Sequence, residues 1–168
     1  RFADIQMLRY RLPEFSKLTL DQKQLIYCLS KATLYGRDIT FDQFGKYNLR
    51  IRKMLETIYV YVQRDRFSDQ KILFSDQRDN GNSQRNKLED EYNGLEQYLK
   101  QVWFASGIYH HYACDKFAPL FSETFLREVT MKIDPKLLPL KEGESVEAML
   151  DELCPIIFNP TIQPKRVN

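Results

Sequence analysis

Histidine is almost absent from this chain. There are two in 168 residues, adjacent at His110 and His111. Neither is followed by glutamate, so the His-Glu motifs of zinc peptidases have no place in it. Cysteine is scarce as well. Cys28, Cys114 and Cys154 match no zinc or redox spacing, and their odd number argues against a disulfide framework. They read as buried or free thiols, compatible with cytoplasm or periplasm. No charge of one sign dominates. Lys plus Arg is 25 against 23 for Asp plus Glu, which leaves no general case for nucleic acid or an anionic membrane. No apolar run approaches the ~18–20 residues that would span a bilayer. No signal peptide is visible. The chain opens at Arg1 without Met and closes on "IQPKRVN", and both ends are expected to be cuts within a longer polypeptide.

What is present is a globular, aromatic-rich composition with 10 Tyr, 11 Phe and 1 Trp. Buried tyrosines need hydroxyl partners, so either a hydrogen-bonded core or an aromatic-lined cleft is expected. The periodicity is helical. Phe2, Ile5 and Leu8 or Arg9 fall at helical spacing, with Pro13 ending that turn. Thr19 and Gln22 form a capping-box pattern ahead of a stripe at Leu25, Cys28 or Leu29, Ala32 and Tyr35. "FDQFGKY" (41–47) reads as a turn. A helix over about 47–62 follows, with Ile51, Met54, Leu55, Ile58 and Val62 inward. Arg50, Arg52 and Lys53 lie mostly off that stripe and read as a solvated face. No second basic cluster with interleaved aromatics supports a nucleic-acid contact.

Residues 63–87 are polar, carry Asn80-Gly81-Asn82-Ser83 and echo "FSDQ" at 67–70 and 74–77. They read as a long surface loop or insertion. Leu88, Tyr92, Leu95, Leu99, Val102 and Trp103 then mark a strong helix, with acidic residues in its first turns and Gly107 as its C-terminal cap. Ser122 should cap a helix with Phe125, Leu126 and Val129 inward. Ser145 should cap a last one with Val146, Met149, Leu150 and Leu153 inward, stopped by Pro155. The fold class is mainly α, with about five amphipathic helices in one domain or fragment over 1–168.

"GIYHHYACDKF" (107–117) is the segment where chemistry could sit. Adjacent histidines chelate poorly: on a helix they diverge by about 100°, and on a strand they face opposite sides. His-His-x-x-Cys-Asp matches no familiar ligand spacing. Ser106 and Cys114 sit near a histidine but in no nucleophile elbow. Two readings stay open. The imidazoles cap and pack a helix end, or Tyr109, His110, His111 and Tyr112 line a surface for a peptide-like ligand.

"FADIQMLRYRLPEF", "LTLDQKQLIYCLSKATLYGRDITFDQ", "KYNLRIRKMLETIY", "YLKQVWFASGIYHHYACDKFAPLF" and "IIFNPTIQPKRVN" together resemble the N-terminal region of bacterial dipeptidyl peptidase III. The most specific part is the G-x-x-x-x-Y…K-F-x-P skeleton within 107–119. Only about 63–87 falls outside the resemblance. Members are two-lobed zinc exopeptidases that remove dipeptides from the N-termini of short peptides. The resemblance implies that this chain is the N-terminal helical part of such an enzyme. It implies a zinc site supplied by H-E-x-x-x-H and a glutamate-bearing motif outside this chain, so no catalytic or metal residue carries over. It places Tyr112, with neighbours His111 and His110, beside the substrate cleft, and gives Lys116 and Phe117 the task of anchoring the segment. Tyr112 is then either a substrate contact or a packed structural tyrosine. The implied partners are short peptides and the remainder of the same polypeptide. Such a piece is expected to be inert alone and to self-associate through apolar surface. The alternative is a non-catalytic helical protein-interaction module that offers a groove to a partner helix.

Overall fold

The computed structural model describes residues 1–67 and 81–164. The chain is mainly helical. A 3-10 turn at Pro13–Lys17 precedes α1 (Leu20–Tyr35), α2 (Arg37–Phe44) and α3 (Asn48–Phe67). Then come α4 (Gly81–Ala105), α5 (Glu123–Thr130), a 3-10 turn at Pro135–Leu137 and α6 (Val146–Phe158). Among the described residues there is no strand, only isolated antiparallel bridges at Phe2–Ile5 and Tyr109–Lys116.

The capping residues do what their chemistry predicts. Thr19 Oγ1 accepts from the Gln22 amide at 3.3 Å, and Gln22 Oε1 accepts from the Thr19 amide at 2.9 Å. Ser122 and Ser145 each accept at 3.1 Å from the amide three residues on. Each cap satisfies donors that the first helical turn cannot.

The centre of the molecule is the α3–α4 pair. Asn48 at the start of α3 meets Ile108 just past α4, and Gln63 near the end of α3 donates to Tyr92 on α4, so the two run antiparallel. Ile51, Met54, Leu55, Ile58 and Val62 are buried against Tyr92, Leu95, Leu99 and Val102. Burial of each is worth about 1.5–3 kcal/mol, so this seam dominates the stability. α2 packs on α3 through Phe41, and α5 packs on α6. Phe121 links the layers, edge-on to Tyr98 of α4 at 5.6 Å and to Phe158 of α6 at 5.5 Å.

Several elements depart from the sequence reading. The first twelve residues are not helical, and Pro13 opens a 3-10 helix instead of ending a turn, because proline's fixed φ and missing donor suit a first helical position. Residues 41–44 belong to α2, leaving the turn at 45–47. Helix also covers both ends of the 63–87 stretch, where polar sequence hides the period; the rest of it, 68–80, lies outside the described residues. α4 therefore starts upstream of the acidic run, which sits mid-helix and not at the positive end of the dipole. α6 continues through Pro155 to Phe158. Ile156 and Ile157 are buried and hold the last turn in place, although proline removes one hydrogen bond from it.

Of the basic residues read as a solvated face of α3, Lys53 is exposed, but Arg50 and Arg52 are not. Arg50 is engaged by Glu144, Glu152 and the Pro139 carbonyl, the last at 3.0 Å. Arg52 is 2% exposed, lies 4.6 Å from the Phe41 ring and bonds Asp38 at 2.5 Å. Both guanidiniums pin helices together. The reverse holds for α1, which has no buried residue. Leu20, Leu25, Ile26, Tyr27, Leu29, Leu34 and Tyr35 are all exposed. No helix is long and apolar enough to cross a membrane among the described residues.

Candidate functional site

The segment after α4 begins with a helix stop. Ser106, at φ 57°, takes the left-handed position, and the Gly107 amide reaches back to Val102 O at 3.1 Å. Gly107 is therefore not the cap residue itself. A Cβ at Gly107 would lie 2.3 Å from Asn48 Nδ2, so only glycine lets the buried Asn48 close against this turn. Asn48 Oδ1 in return accepts from the Ile108 amide at 3.3 Å.

From there the chain doubles back as a narrow hairpin. The Phe117 amide donates to Ile108 O at 2.9 Å, the His110 amide to Asp115 O at 2.7 Å, and the Cys114 amide to His110 O at 2.9 Å. Cys114, at φ 59°, makes the reversal possible. The base of the hairpin is fixed on both sides. Phe117 is buried in the core. The Lys116 ammonium donates to the carbonyls of Ile156 at 2.6 Å, Asn159 at 2.9 Å and Ile162, at the negative end of α6. Burial pulls the Lys116 pKa down, but the three carbonyls replace the water it has lost.

The tip carries His110, His111 and Tyr112. His110 turns inward, and its Nδ1 accepts from the amides of Tyr112 at 3.2 Å and Ala113 at 3.0 Å. With Nδ1 occupied by two donors, the ring hydrogen belongs on Nε2, which donates to Asp4 Oδ2 at 3.0 Å. Both nitrogens of His110 are thus engaged. His111 packs edge-on against Phe104 at 4.9 Å and lies 4.5 Å from His110 and 4.3 Å from Tyr112. The two imidazoles therefore do not diverge. The turn, being neither helix nor strand, brings them together. Tyr112 is 85% exposed, and its hydroxyl has no partner among the described residues. The result is a ledge of flat rings with polar edges.

The zinc that the resemblance implies does not fit this ledge. His110 has no free nitrogen, and no three His, Cys, Asp or Glu side chains gather as ligands among the described residues. Among the described residues, His110 Nδ1 is taken by backbone amides, and the Cys114 thiol faces the Tyr112 carbonyl and not an imidazole nitrogen. What the arrangement offers is a surface: aromatic faces, a free phenol and the Asp4 carboxylate at the edge. Beside the hairpin base, a cavity of about 250 Å³ is lined by Phe44, Lys46, Asn48, Ile108, Tyr109 and Gln163 among others. Tyr109 closes it by donating to Gln163 O at 3.1 Å.

Sequence reasoning singled out His110, His111 and Tyr112, and the structure brings all three to one tip. It missed Asp4, which lies 106 residues away and carries no local signal, and Phe104, whose place at the end of α4 was the available clue. No family model matches the chain, and no curated protein matches it either.

Proposed function

We propose that this chain is the N-terminal helical part of a zinc-dependent dipeptidyl peptidase similar to dipeptidyl peptidase III, and that the 107–117 hairpin forms one wall of its peptide cleft. Short peptides are the substrates. The zinc, its ligands and the glutamate base belong to the remainder of the same polypeptide, and this chain supplies binding surface and no reacting group. The observation that carries the reading is the exposure of Tyr112 on a hydrogen-bonded hairpin. An exposed tyrosine with an unused hydroxyl, beside the tilted imidazoles of His110 and His111, suits a peptide's apolar side chain and carbonyl together.

The test is a titration of the isotope-labelled chain with short unblocked peptides, followed by NMR. Amides of residues 109–114 should shift, and Tyr112→Ala should weaken binding about threefold to tenfold, the loss of one partly exposed aromatic contact. Peptides that leave those amides unmoved would contradict the reading.

A second reading is favoured by α1. A capped helix with no buried residue and seven exposed large apolar side chains suits a non-catalytic helical interaction module that docks a partner helix. Under that reading the shifts on binding fall on residues 20–35 and Tyr112→Ala has no effect.

A further inference from the structure

A groove runs along α3 on a face that its apolar stripe does not use. Thr57, Val60 and Tyr61 line it from α3, and the connector after α5 lines it from the other side with Ile133, Leu137, Leu138 and Pro139. Its volume is about 440 Å³, within the range of clefts that hold ligands. Val60 is 46% exposed and Leu137 60% exposed, so the apolar lining is open to solvent. Lys53 and Arg64 stand at the two ends of the α3 side, about 16 Å apart along the helix axis. The charges on this rim do not cancel. Lys53 lies 3.4 Å from Asp38. Glu56 accepts from Trp103 Nε1 at 2.8 Å and lies 3.6 Å from Arg52. Arg64 is exposed and has no carboxylate partner among the described residues. The connector's backbone is already used. The Leu137 and Leu138 amides donate to Asp134 O at 2.9 Å and Pro135 O at 3.1 Å, and Pro139 has no amide hydrogen. The carbonyls of Leu137, Leu138 and Pro139 accept from Thr57 Oγ1 at 3.2 Å, the Leu140 amide at 2.8 Å and Arg50 Nε at 3.0 Å.

We propose that this groove docks an acidic amphipathic helix of a partner protein. An extended segment would need backbone groups to pair with, and neither wall has them to spare. A helix satisfies its own backbone and needs only side-chain contacts. The distance between Lys53 and Arg64 matches about three helical turns. Apolar side chains at i and i+4 of the partner enter between Val60 and Leu137, where they remove both from water. A carboxylate on the partner's flank meets Arg64, whose planar guanidinium suits a bidentate contact. The charge of Arg64 selects an acidic partner over a basic one. No lining residue of the groove belongs to the 107–117 hairpin or to α1, so the proposal is independent of both readings above.

The test uses two alanine-based peptides of about 15 residues, long enough to be partly helical in water, with both ends blocked. Each carries leucines at i and i+4. One has glutamates on the flanks of that stripe, and the other has lysines at the same positions. Binding to the whole isotope-labelled chain is followed by NMR. The glutamate peptide should shift the amides of residues 57–64 and of Leu137 and Leu138, and bind about threefold to tenfold more tightly than the lysine peptide. Arg64→Glu should cancel or reverse that preference, on the scale of an exposed ion pair lost and then made repulsive. Leu137→Ala should weaken both peptides alike. Arg64 and Leu137 are exposed, so neither substitution disturbs the core, and an unchanged thermal melt checks it. Equal binding of the two peptides, unaffected by Arg64→Glu, would overturn the acidic partner. Shifts confined to residues 20–35 would overturn the groove in favour of α1. A glutamate peptide that moves no amide would overturn the proposal outright.

Discussion

The hydroxyl of Tyr98 lies deep in the core with no hydrogen-bond partner among the described residues, and burial pushes its pKa well up. Tyr92, on the same helix, has its hydroxyl bonded to Gln63 at 2.6 Å. An unpaired buried hydroxyl costs about 1–3 kcal/mol of desolvation, so Tyr98→Phe should stabilise the chain. A thermal melt several degrees higher would show it; a lower melt would mean that the hydroxyl has a partner. Tyr112 is the converse case, with its ring and hydroxyl both left to solvent. Residue counts raised the alternatives of a hydrogen-bonded core and an aromatic-lined cleft. They could not say which tyrosine serves which, because that depends on contacts between distant segments.

At the scale of elements, what is local was legible and what is remote was not. The Thr19–Gln22 capping box and the Ser122 and Ser145 caps are made by residues three apart, and each forms as its spacing indicates. The inward stripes of α3, α5 and α6 follow from period alone, and so does that of α4 except at Trp103, which is exposed at the edge of the stripe. The stripe read in α1 has the same period, yet none of it is buried among the described residues, since periodicity describes a face and not what covers it. Arg50 and Arg52 were misread because their carboxylates come from α6, the loop before it and α2. The hairpin tip was legible as a cluster of binding-type residues, but its contact with Asp4 was not. Gly94 had no sequence signal either. A Cβ there would lie 2.4 Å from the backbone oxygen of Leu120, so the α5 approach runs directly across α4 at this point. Gly94→Ala should therefore lower stability by about 1–3 kcal/mol, although alanine is the better helix former by about 1 kcal/mol. Urea denaturation would measure it, and a rise in the midpoint would contradict the close approach.

At the scale of the whole molecule, the helices are joined by ion pairs that depend on ionised carboxylates. The Arg52 guanidinium holds Asp38 below its ordinary value of 3.8. Lys141, aided by Arg50, holds Glu152 below its ordinary 4.5. A depressed carboxylate contributes stability that is present above its unfolded value and lost as pH falls through its folded one. Melting temperature should be flat down to about pH 4.5 and then fall steadily below it. Both groups are partly exposed, so salt should soften the drop. A chain that keeps its full stability at pH 2.5 would show that these pairs contribute little.

The central claim is that this helical chain is the peptide-binding part of a zinc dipeptidyl peptidase. Its most direct test is to read the coding frame beyond Asn168. The account predicts that the frame runs on into a segment bearing H-E-x-x-x-H and a glutamate-bearing second motif. A frame that stops directly after Asn168 would contradict it, and the exposed face of α1 would then become the surface to explain.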